Sequence, residues 1–430
     1  MRLSPGLLPA IFCSSFTLPI APCLMGQQLQ QPPPVVRSFT NEVLVPVVVR
    51  DAQGHAVGNL TKGDFQVFDN GKPQTITGFT IIKRATETST ANSSTPSPDA
   101  TDSPTISQLT SPPQRFIVFL FDDYNLTSSD LAQTQEAATK ALDSSLAPAD
   151  MAAVLSTSGR NSGLTHDHEK LKQMILDLRV KTFWRPDEHE CPNVDYYQGD
   201  LIIKKNDSPA LYAAVVAVLH CYHGLEVDGA ESIARSAAQR AVDLGEHNYR
   251  SNLYFLRLVL NGMAPLPGQH VLILISPGFF TPDSEAMTIK SEILDIAART
   301  NTVINTLDAR GLYTTNQGAE ATVRIDHREE QDAQRLGDRY RRESMAANAE
   351  VMEELADGTG GTFYHNSNDL EAGFRTLISG ADYTYLLAFS TADTKPMGAH
   401  HSLRVKVNGP GLTVQARRGY STPAPEKQKK

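Results

Sequence analysis

Two nearly continuous apolar runs constrain the fold of this chain more than any other feature. They are residues 116–121 (FIVFLF) and 270–276 (HVLILIS). Such runs are typical of parallel strands that are buried on both faces. Shorter strand patterns lie at 152–156 and 303–308, and helical patterns separate the strands, at 129–146, 167–178, 230–261 and 284–300. This alternation predicts an α/β fold, a doubly wound, mostly parallel, Rossmann-like sheet with helices on both faces.

Strand patterns of a different kind flank this region on both sides. Residues 42–50 are rich in valine, and the strand patterns at 64–69 and 74–83 enclose Asn70-Gly71, a strong hairpin signal. Three more strand-like runs come later, at 383–389, 402–407 and 412–417. Each set is too small to bury a good core by itself. We therefore predict a smaller β-sandwich formed by N- and C-terminal strands, with the α/β domain inserted between them.

The first residues have the layout of a secretory signal peptide, which we predict at 1–26. Arg2 precedes an apolar stretch from residue 7 to residue 24, and polar residues follow. A signal peptide predicts an exported protein of the periplasm, the cell envelope or the exterior, with lipid attachment at Cys23 as an alternative. No later segment has the roughly 18–20 apolar residues that span a bilayer, so we expect no transmembrane span in the mature chain.

Composition divides the rest of the chain. We predict an N-terminal β unit at 38–84, an α/β domain at 113–380 with an insertion at about 180–230, and C-terminal strands at 381–421. Serine, threonine and proline are frequent at 85–112, and this composition predicts a linker without a core of its own. Residues 324–344 are highly charged, and we expect them to be exposed.

Charge and cysteine content narrow the functional classes. The net charge of −9 argues against a nucleic-acid binder. Cys191 and Cys221 are the two cysteines outside the predicted signal peptide, and in an oxidising compartment they most simply form a disulfide. A zinc site is the alternative, because three histidines lie close to them in the sequence, His189, His220 and His223.

The loop after the first central strand carries the side chains best suited to bind a metal ion. Asp123, Asn125 and Thr127 alternate there, so a carboxylate, an amide oxygen and a hydroxyl can point at one spot. These hard oxygen ligands suit Mg²⁺, Mn²⁺ or Ca²⁺. In parallel sheets, ligands bind outside the carboxyl ends of the strands, where this loop is expected to lie. The alternative is that the same residues cap the next helix and stabilise the turn.

With this loop, the chain resembles the von Willebrand factor type A (VWA) domain, whose first strand is followed by an Asp-x-Ser-x-Ser metal-ion-dependent adhesion site. It most resembles the VWFA-related proteins common in Acidobacteria, over nearly the whole chain after the predicted signal. The stretches that carry the resemblance are 47–68 (VVVRDAQGHAVGNLTKGDFQVF), 121–127 (FDDYNLT), 307–312 (LDARGL), 355–370 (LADGTGGTFYHNSNDL) and 414–420 (VQARRGY).

The resemblance implies two further metal ligands, a threonine from a second loop and an aspartate after a later strand. Thr165 is the candidate for the threonine. Pro277 stands where the aspartate is expected and offers no ligand, so Asp283, a few residues further on, is the candidate substitute.

Motifs of enzyme chemistry are not found. The sequence has no Gly-x-Ser-x-Gly elbow, no phosphate-binding Gly-x-x-x-x-Gly-Lys loop and no Gly-x-Gly-x-x-Gly turn. Asp122 and Asp123 are adjacent, and in a strand they would face opposite ways, which does not suit an acid/base pair. His166 and His168 do not share a helix face.

We therefore predict a non-enzymatic protein-binding or scaffolding protein with an adhesion-like role. Its protein ligand would dock at the top of the α/β domain, through Mg²⁺, Mn²⁺ or Ca²⁺ if the adhesion site binds metal. The first alternative is a metal-independent structural protein of the envelope that uses the sandwich or the insertion for its contacts. The second is a hydrolase with an unrecognised site.

Overall fold

A computed structural model describes residues 42–52, 56–83, 115–181, 190–312, 328–380, 383–390 and 400–421. The predicted signal peptide, the lipid-anchor alternative at Cys23 and the predicted linker at 85–112 lie outside these residues. All described residues belong to one compact unit, Asn41–Lys430.

Thirteen strands and eight helices make up the described fold. Four strands come first: β1 (Glu42–Arg50), β2 (Phe65–Asp69), β3 (Lys72–Gln74) and β4 (Ile76–Lys83). The α/β body follows, with β5 (Arg115–Phe121), α1 (Ser128–Ser145), β6 (Met151–Ser156), α2 (His168–Leu176), α3 (Tyr196–Ile203), α4 (Ser208–Cys221), α5 (Val227–Met263), β7 (Gln269–Ser276), α6 (Ser284–Arg299), β8 (Thr302–Asp308), α7 (Arg328–Thr359), β9 (Phe363–Tyr364) and α8 (Leu370–Ser379). The last strands are β10 (Tyr383–Ser390), β11 (His400–Val407), β12 (Thr413–Ala416) and β13 (Gly419–Ser421).

The central sheet contains five parallel strands in the order β6-β5-β7-β8-β9. Residues of β5 alternate between two cores, because successive side chains of a strand point to opposite faces. Phe119 and Phe121 lie in one core with α1, α2 and α8. Val118 and Leu120 lie in the other core with α5, α6 and α7. Helices therefore cover both faces, and the predicted doubly wound α/β fold is confirmed.

Two four-stranded antiparallel sheets form the predicted sandwich. Their strand orders are β12-β1-β10-β4 and β13-β11-β2-β3, so each sheet combines strands from both ends of the chain. One buried cluster joins them, with Val47 and Tyr385 from the first sheet and Val67 and Leu403 from the second. The smaller sandwich formed by N- and C-terminal strands is thus also confirmed.

The segment after the Asn70-Gly71 turn differs from the expectation. A single returning strand was predicted at 74–83, but β3 pairs with β2 while β4 pairs with β10 in the other sheet. Asn70 and Gly71 make the tight turn before β3, both with positive φ angles (48° and 78°). The connection after β3 then crosses between the sheets, which lets one short segment contribute to both.

Polar contacts tie the sandwich to the α/β body. The Arg417 guanidinium donates to the carbonyl oxygen of Ala298 in α6 (3.2 Å) and to that of Leu44 in β1 (2.5 Å). Gln415 of β12 donates to the Thr362 hydroxyl (3.0 Å), just before β9. The bonds to Ala298 and Thr362 cross the junction between the two parts of the fold, whereas the bond to Leu44 lies within the sandwich.

The insertion is a small helical layer with its own core, formed by α3, α4, the first half of α5 and part of α7. Helix α3 was not predicted. The prediction that 324–344 is exposed was wrong for Tyr340, which lies in α7, is 3% exposed and donates to Asp207 (3.0 Å). Residues 324–327 lie outside the described residues. Among the described side chains of α7, Arg335, Arg339 and Arg342 are exposed, as expected for a helix that covers the insertion with its other face.

The Cys191–Cys221 disulfide is present and joins the start of the insertion to the end of α4. This bond removes both thiolates that the alternative zinc site would need. Among the helices described, none is both long and apolar enough to span a bilayer.

Candidate binding site at the carboxyl edge of the central sheet

The chain order creates a switch point between β5 and β7. The segment after β5 leads to α1 on one face of the sheet, whereas the segment after β7 leads to α6 on the other face. The strands end nearly level, since Phe121 is in register with Ser156 and with Ile275. Loops that diverge in this way leave a crevice at the carboxyl edge, where doubly wound folds bind their ligands.

Asp122 is fully buried in this crevice and holds three loops together. Its carboxylate accepts hydrogen bonds from the Ser276 hydroxyl (2.7 Å), the Asn125 amide (2.8 Å) and the Thr157 hydroxyl (3.3 Å). Burial raises the pKa of Asp122 to about 6, and the neighbouring charge of Asp123 contributes to this rise. The three hydrogen-bond donors lower the pKa and so offset part of the effect of burial. The carboxylate therefore links the loops after β5, β6 and β7 through hydrogen bonds.

Asp123 is also fully buried, and the loop after β6 donates hydrogen bonds to both of its oxygens. One oxygen accepts from the Thr157 hydroxyl and the Ser158 backbone amide (both 2.9 Å), and the other accepts from the Ser158 hydroxyl (2.5 Å). Asp122 and Asp123 were expected to face opposite ways, but β5 ends at Phe121 and both carboxylates contact Thr157. The turn after the strand lets them converge.

Asn125 and Thr127 have different partners. Asn125 exchanges two hydrogen bonds with Asn248 of α5 (2.7 and 3.2 Å), which connects the loop to the long helix. The Thr127 hydroxyl accepts from the Asp130 backbone amide (3.0 Å), and the Asp130 carboxylate accepts from the Thr127 amide (3.2 Å). This reciprocal pair is a capping box at the start of α1, in agreement with the capping alternative.

The two candidates taken from later loops do not join this cluster. Thr165 bridges to Ala152 near the start of β6, at the opposite end of the strand from Ser158. Asp283 is the N-cap of α6, where it accepts from the Ala286 amide (2.8 Å) and from the Tyr249 hydroxyl (2.5 Å). The second-loop residues in contact with Asp123 are Thr157 and Ser158. Sequence reasoning missed them, although polar residues directly after a central strand were a usable signal.

The close packing of α7 explains why the second residue of the loop after β7 is a glycine, Gly278. Gly278 has a φ of +85°, and a Cβ there would overlap the carbonyl oxygen of Asn348 in α7. Only glycine tolerates this backbone and this approach. The residue directly after Pro277, the position where the VWA resemblance expects an aspartate, thus allows α7 to pack closely against the loop after β7.

The residues present do not fit a resident divalent cation in this arrangement. Both oxygens of Asp123 accept hydrogen bonds, the amide of Asn125 is engaged with Asn248, and Thr127 caps α1. The carboxylate in the loop after β7, Asp283, caps α6 and is bonded to Tyr249. The described residues contain no group of three or more His, Cys, Asp or Glu side chains arranged to hold a metal ion. A cation would have to displace bonds that hold the loops together.

Comparisons with known proteins add little to this description. No family model and no curated protein matches the chain. Among solved structures, the chain is similar to the TFIIH p34 N-terminal domain, with 11% identity over 62% of this chain and 96% of that chain and a TM-score of 0.22. A TM-score this low carries no argument about fold or function. The chain's own topology defines its class, a doubly wound α/β domain inserted into a β-sandwich.

Proposed function

We propose that this chain is a non-enzymatic binding protein that docks a protein ligand at the carboxyl edge of its α/β domain. The observation that carries the proposal is the switch point between β5 and β7, with a preformed cluster of loops at its centre. Asp122 and Asp123 are both fully buried and hydrogen-bonded, so neither carboxylate is placed to exchange protons with a substrate. The cluster instead fixes the positions of the loops that form the surface above it.

The exposed residues around this cluster suggest the chemistry of the ligand. Arg160 is exposed in the loop after β6, and Lys181 is exposed where its backbone amide donates to the Asp123 carbonyl oxygen (2.8 Å). Leu312, after β8, is 51% exposed. Arg160 follows β6 and Leu312 follows β8, so the cations and the leucine lie at different points along the same edge of the sheet. Such an edge suits an extended acidic protein segment that also carries an apolar residue.

The proposed contact is direct and does not need a bridging metal, because the loops are already fixed by hydrogen bonds within the chain. Export to an oxidising compartment is part of the proposal, and the Cys191–Cys221 disulfide supports it.

The test is affinity capture from an envelope extract with the full chain as bait, with and without EDTA. Four baits are compared with the wild type: Arg160→Glu, Leu312→Asp, Asp123→Ala and, as a matched control, Arg404→Glu, which reverses an exposed charge on the sandwich. Circular dichroism verifies that each variant is folded.

We expect one set of captured proteins to be lost with both edge variants, kept with the sandwich control and unaffected by EDTA. Loss of capture on addition of EDTA and with Asp123→Ala would instead support the metal-bridged adhesion site. Capture that survives both edge variants but fails with Arg404→Glu would contradict docking at the edge and favour contacts made by the sandwich.

A further inference from the structure

A buried histidine lies at the amino end of the central sheet, away from the carboxyl edge that carries the proposed function. His270 is the second residue of β7 and is 2% exposed. Its side chain lies on the face covered by α5 and α6, because Leu272 and Leu274 point to the same side of the strand and belong to the core on that face. The proposed docking makes no use of this residue.

Both ring nitrogens of His270 contact backbone carbonyl oxygens. Nδ1 lies 2.7 Å from the carbonyl oxygen of Thr300, and Nε2 lies 2.9 Å from that of Leu266. Because a carbonyl oxygen can only accept a hydrogen bond, each ring nitrogen has to donate. A neutral imidazole carries one N–H group and one lone pair, whereas the imidazolium ion carries two N–H groups. The two contacts therefore fit the protonated ring, and a neutral ring would point a lone pair at an oxygen.

The nearby hydroxyl groups do not change this assignment. The Thr300 hydroxyl donates to the carbonyl oxygen of Ile296 (2.8 Å), so in the 2.7 Å contact between the two hydroxyls it is Thr302 that donates to Thr300. The single hydroxyl proton of Thr302 is thus already used, although its oxygen lies 3.5 Å from Nδ1. Nδ1 needs a proton of its own.

The positions of the two carbonyl groups favour a cation between them. Thr300 is the C-cap of α6, and Leu266 lies three residues after the end of α5. The carboxyl end of a helix carries a partial negative charge, so a positive ring between two such ends is stabilised by both. The hydrogen bonds also offset the loss of hydration that a buried charge suffers. Arg417 uses the end of α6 in the same way, since it donates to the carbonyl oxygen of Ala298 (3.2 Å).

The neighbours of His270 across the sheet are uncharged. Phe116 of β5 pairs with it and lies edge-on to its ring, with 6.1 Å between the ring centroids. Thr302 is its partner on β8. Residues 258–268, at the end of α5 and in the connection to β7, include no titratable side chain. The ring thus lies in apolar surroundings apart from its two carbonyl partners and Thr302.

Three charged residues lie on the elements packed around the ring, namely Arg115 of β5 and Asp295 and Arg299 in the last turn of α6. Arg115 points to the opposite face of the sheet, where it pairs with Asp150, and Arg299 is exposed. In the described part of the chain, the histidines that form ion pairs are His168 and His401. The charge of a protonated His270 is therefore offset by the two helix ends and not by an ion pair.

We propose that His270 is a pH-dependent structural link, whose protonated ring joins the carboxyl ends of α5 and α6 to the amino end of β7. A histidine in an unfolded chain loses its proton at about pH 6.5. The link therefore contributes its full stability below that pH, and the contribution is lost as the pH rises far enough to deprotonate the folded form. Alkaline medium loosens this end of the sheet.

Heteronuclear NMR of the full chain labelled with ¹⁵N measures the protonation of both ring nitrogens directly. The signals of His270 are assigned through their proximity to the Phe116 ring. We expect both nitrogens to be protonated at about pH 7.5, where a histidine in an unfolded chain is mostly neutral.

Urea unfolding of the full chain at about pH 6, 7.5 and 9 gives a second measurement. His270→Gln removes the charge and leaves one amide group, which can donate to one carbonyl but turns its own oxygen towards the other. We expect its urea midpoint to lie below that of the wild type at the lowest pH, and the gap to shrink as the pH rises, because only the wild type loses a stabilising charge. His223→Gln, at an exposed histidine after α4, is the matched control and should leave the midpoint unchanged at each pH.

A ring nitrogen of His270 without a proton at about pH 7.5 would overturn the proposal. A gap between wild type and His270→Gln that stays constant over the three pH values, or an equal effect of His223→Gln, would also overturn it. If His270→Gln does not fold, the NMR measurement on the wild type decides. These outcomes leave docking at the carboxyl edge untouched, because that proposal is tested with different residues and a different assay.

Discussion

Replacing Asp122 with asparagine is expected to stabilise the protein at neutral pH. The asparagine oxygen can still accept from the Ser276 hydroxyl and the Asn125 amide. Its new N–H group would face the Thr157 hydroxyl, which can accept because its own proton already points to Asp123. The substitution therefore removes a buried charge while keeping the hydrogen-bonded shape of the site.

The size of the effect follows from the pKa of Asp122, which burial raises from 3.8 to about 6. Since a tenfold change in proton affinity is worth about 1.4 kcal/mol, the ionised form costs about 3 kcal/mol in the folded protein. A group whose folded pKa is raised stabilises the protein fully below the unfolded pKa, and this contribution is lost as the pH rises through the folded pKa. The wild type thus loses this stability between pH 3.8 and about 6.

Urea denaturation followed by circular dichroism, at several pH values from about 4 to about 7.5, measures this difference. We expect Asp122→Asn to match the wild type near the lower pH and to exceed it by up to about 3 kcal/mol at the upper one. Asp143→Asn, at an exposed carboxylate paired with Lys172, is the control and should change stability by less than about 1 kcal/mol at every pH. An Asp122→Asn variant that is less stable than the wild type at neutral pH would refute the reasoning, because it would mean that the three donors favour the ionised form.

Other predictions concern packing and cross-links, and each is measured by denaturation. Gly278→Ala should lose more than about 2 kcal/mol because its Cβ would overlap the backbone of α7. Gly262→Ala, on a helix position with open space, should gain up to about 1 kcal/mol, and equal effects of both would contradict the steric argument. Replacing Cys191 and Cys221 with alanine should cost about 3–4 kcal/mol, as expected for a bond that spans 30 positions, and an unchanged midpoint would count against it. Arg417→Ala should lose about 2 kcal/mol with its two bonds to carbonyl oxygens, one within the sandwich and one across the junction to α6, and an unaffected variant would show that these bonds do not help to hold the sandwich in place.

Much of the fold could be predicted from local patterns. The strand at Glu42–Arg50 and the buried strands β5 and β7 were recognisable because apolar periodicity reports directly on how many faces of a strand are covered. The disulfide was predictable because two cysteines remained after the predicted signal peptide. The burial of Tyr340 within the charged segment 324–344 was missed because apolar positions are sparse there, and the burial depends on contact with a neighbouring helical layer.

The candidate site shows where such patterns stop being informative. Local residue patterns alone indicated that the loop after β5 is rich in oxygen ligands, that both faces of the central sheet are covered and that strands from both ends belong together. Pairing between distant segments placed Thr157 and Ser158, and not Thr165, in contact with Asp123, and it brought α7 so close to Gly278 that no side chain fits there. The physical reason is that hydrogen bonds between loops depend on strand order and register, which arise from pairing between segments far apart in the chain.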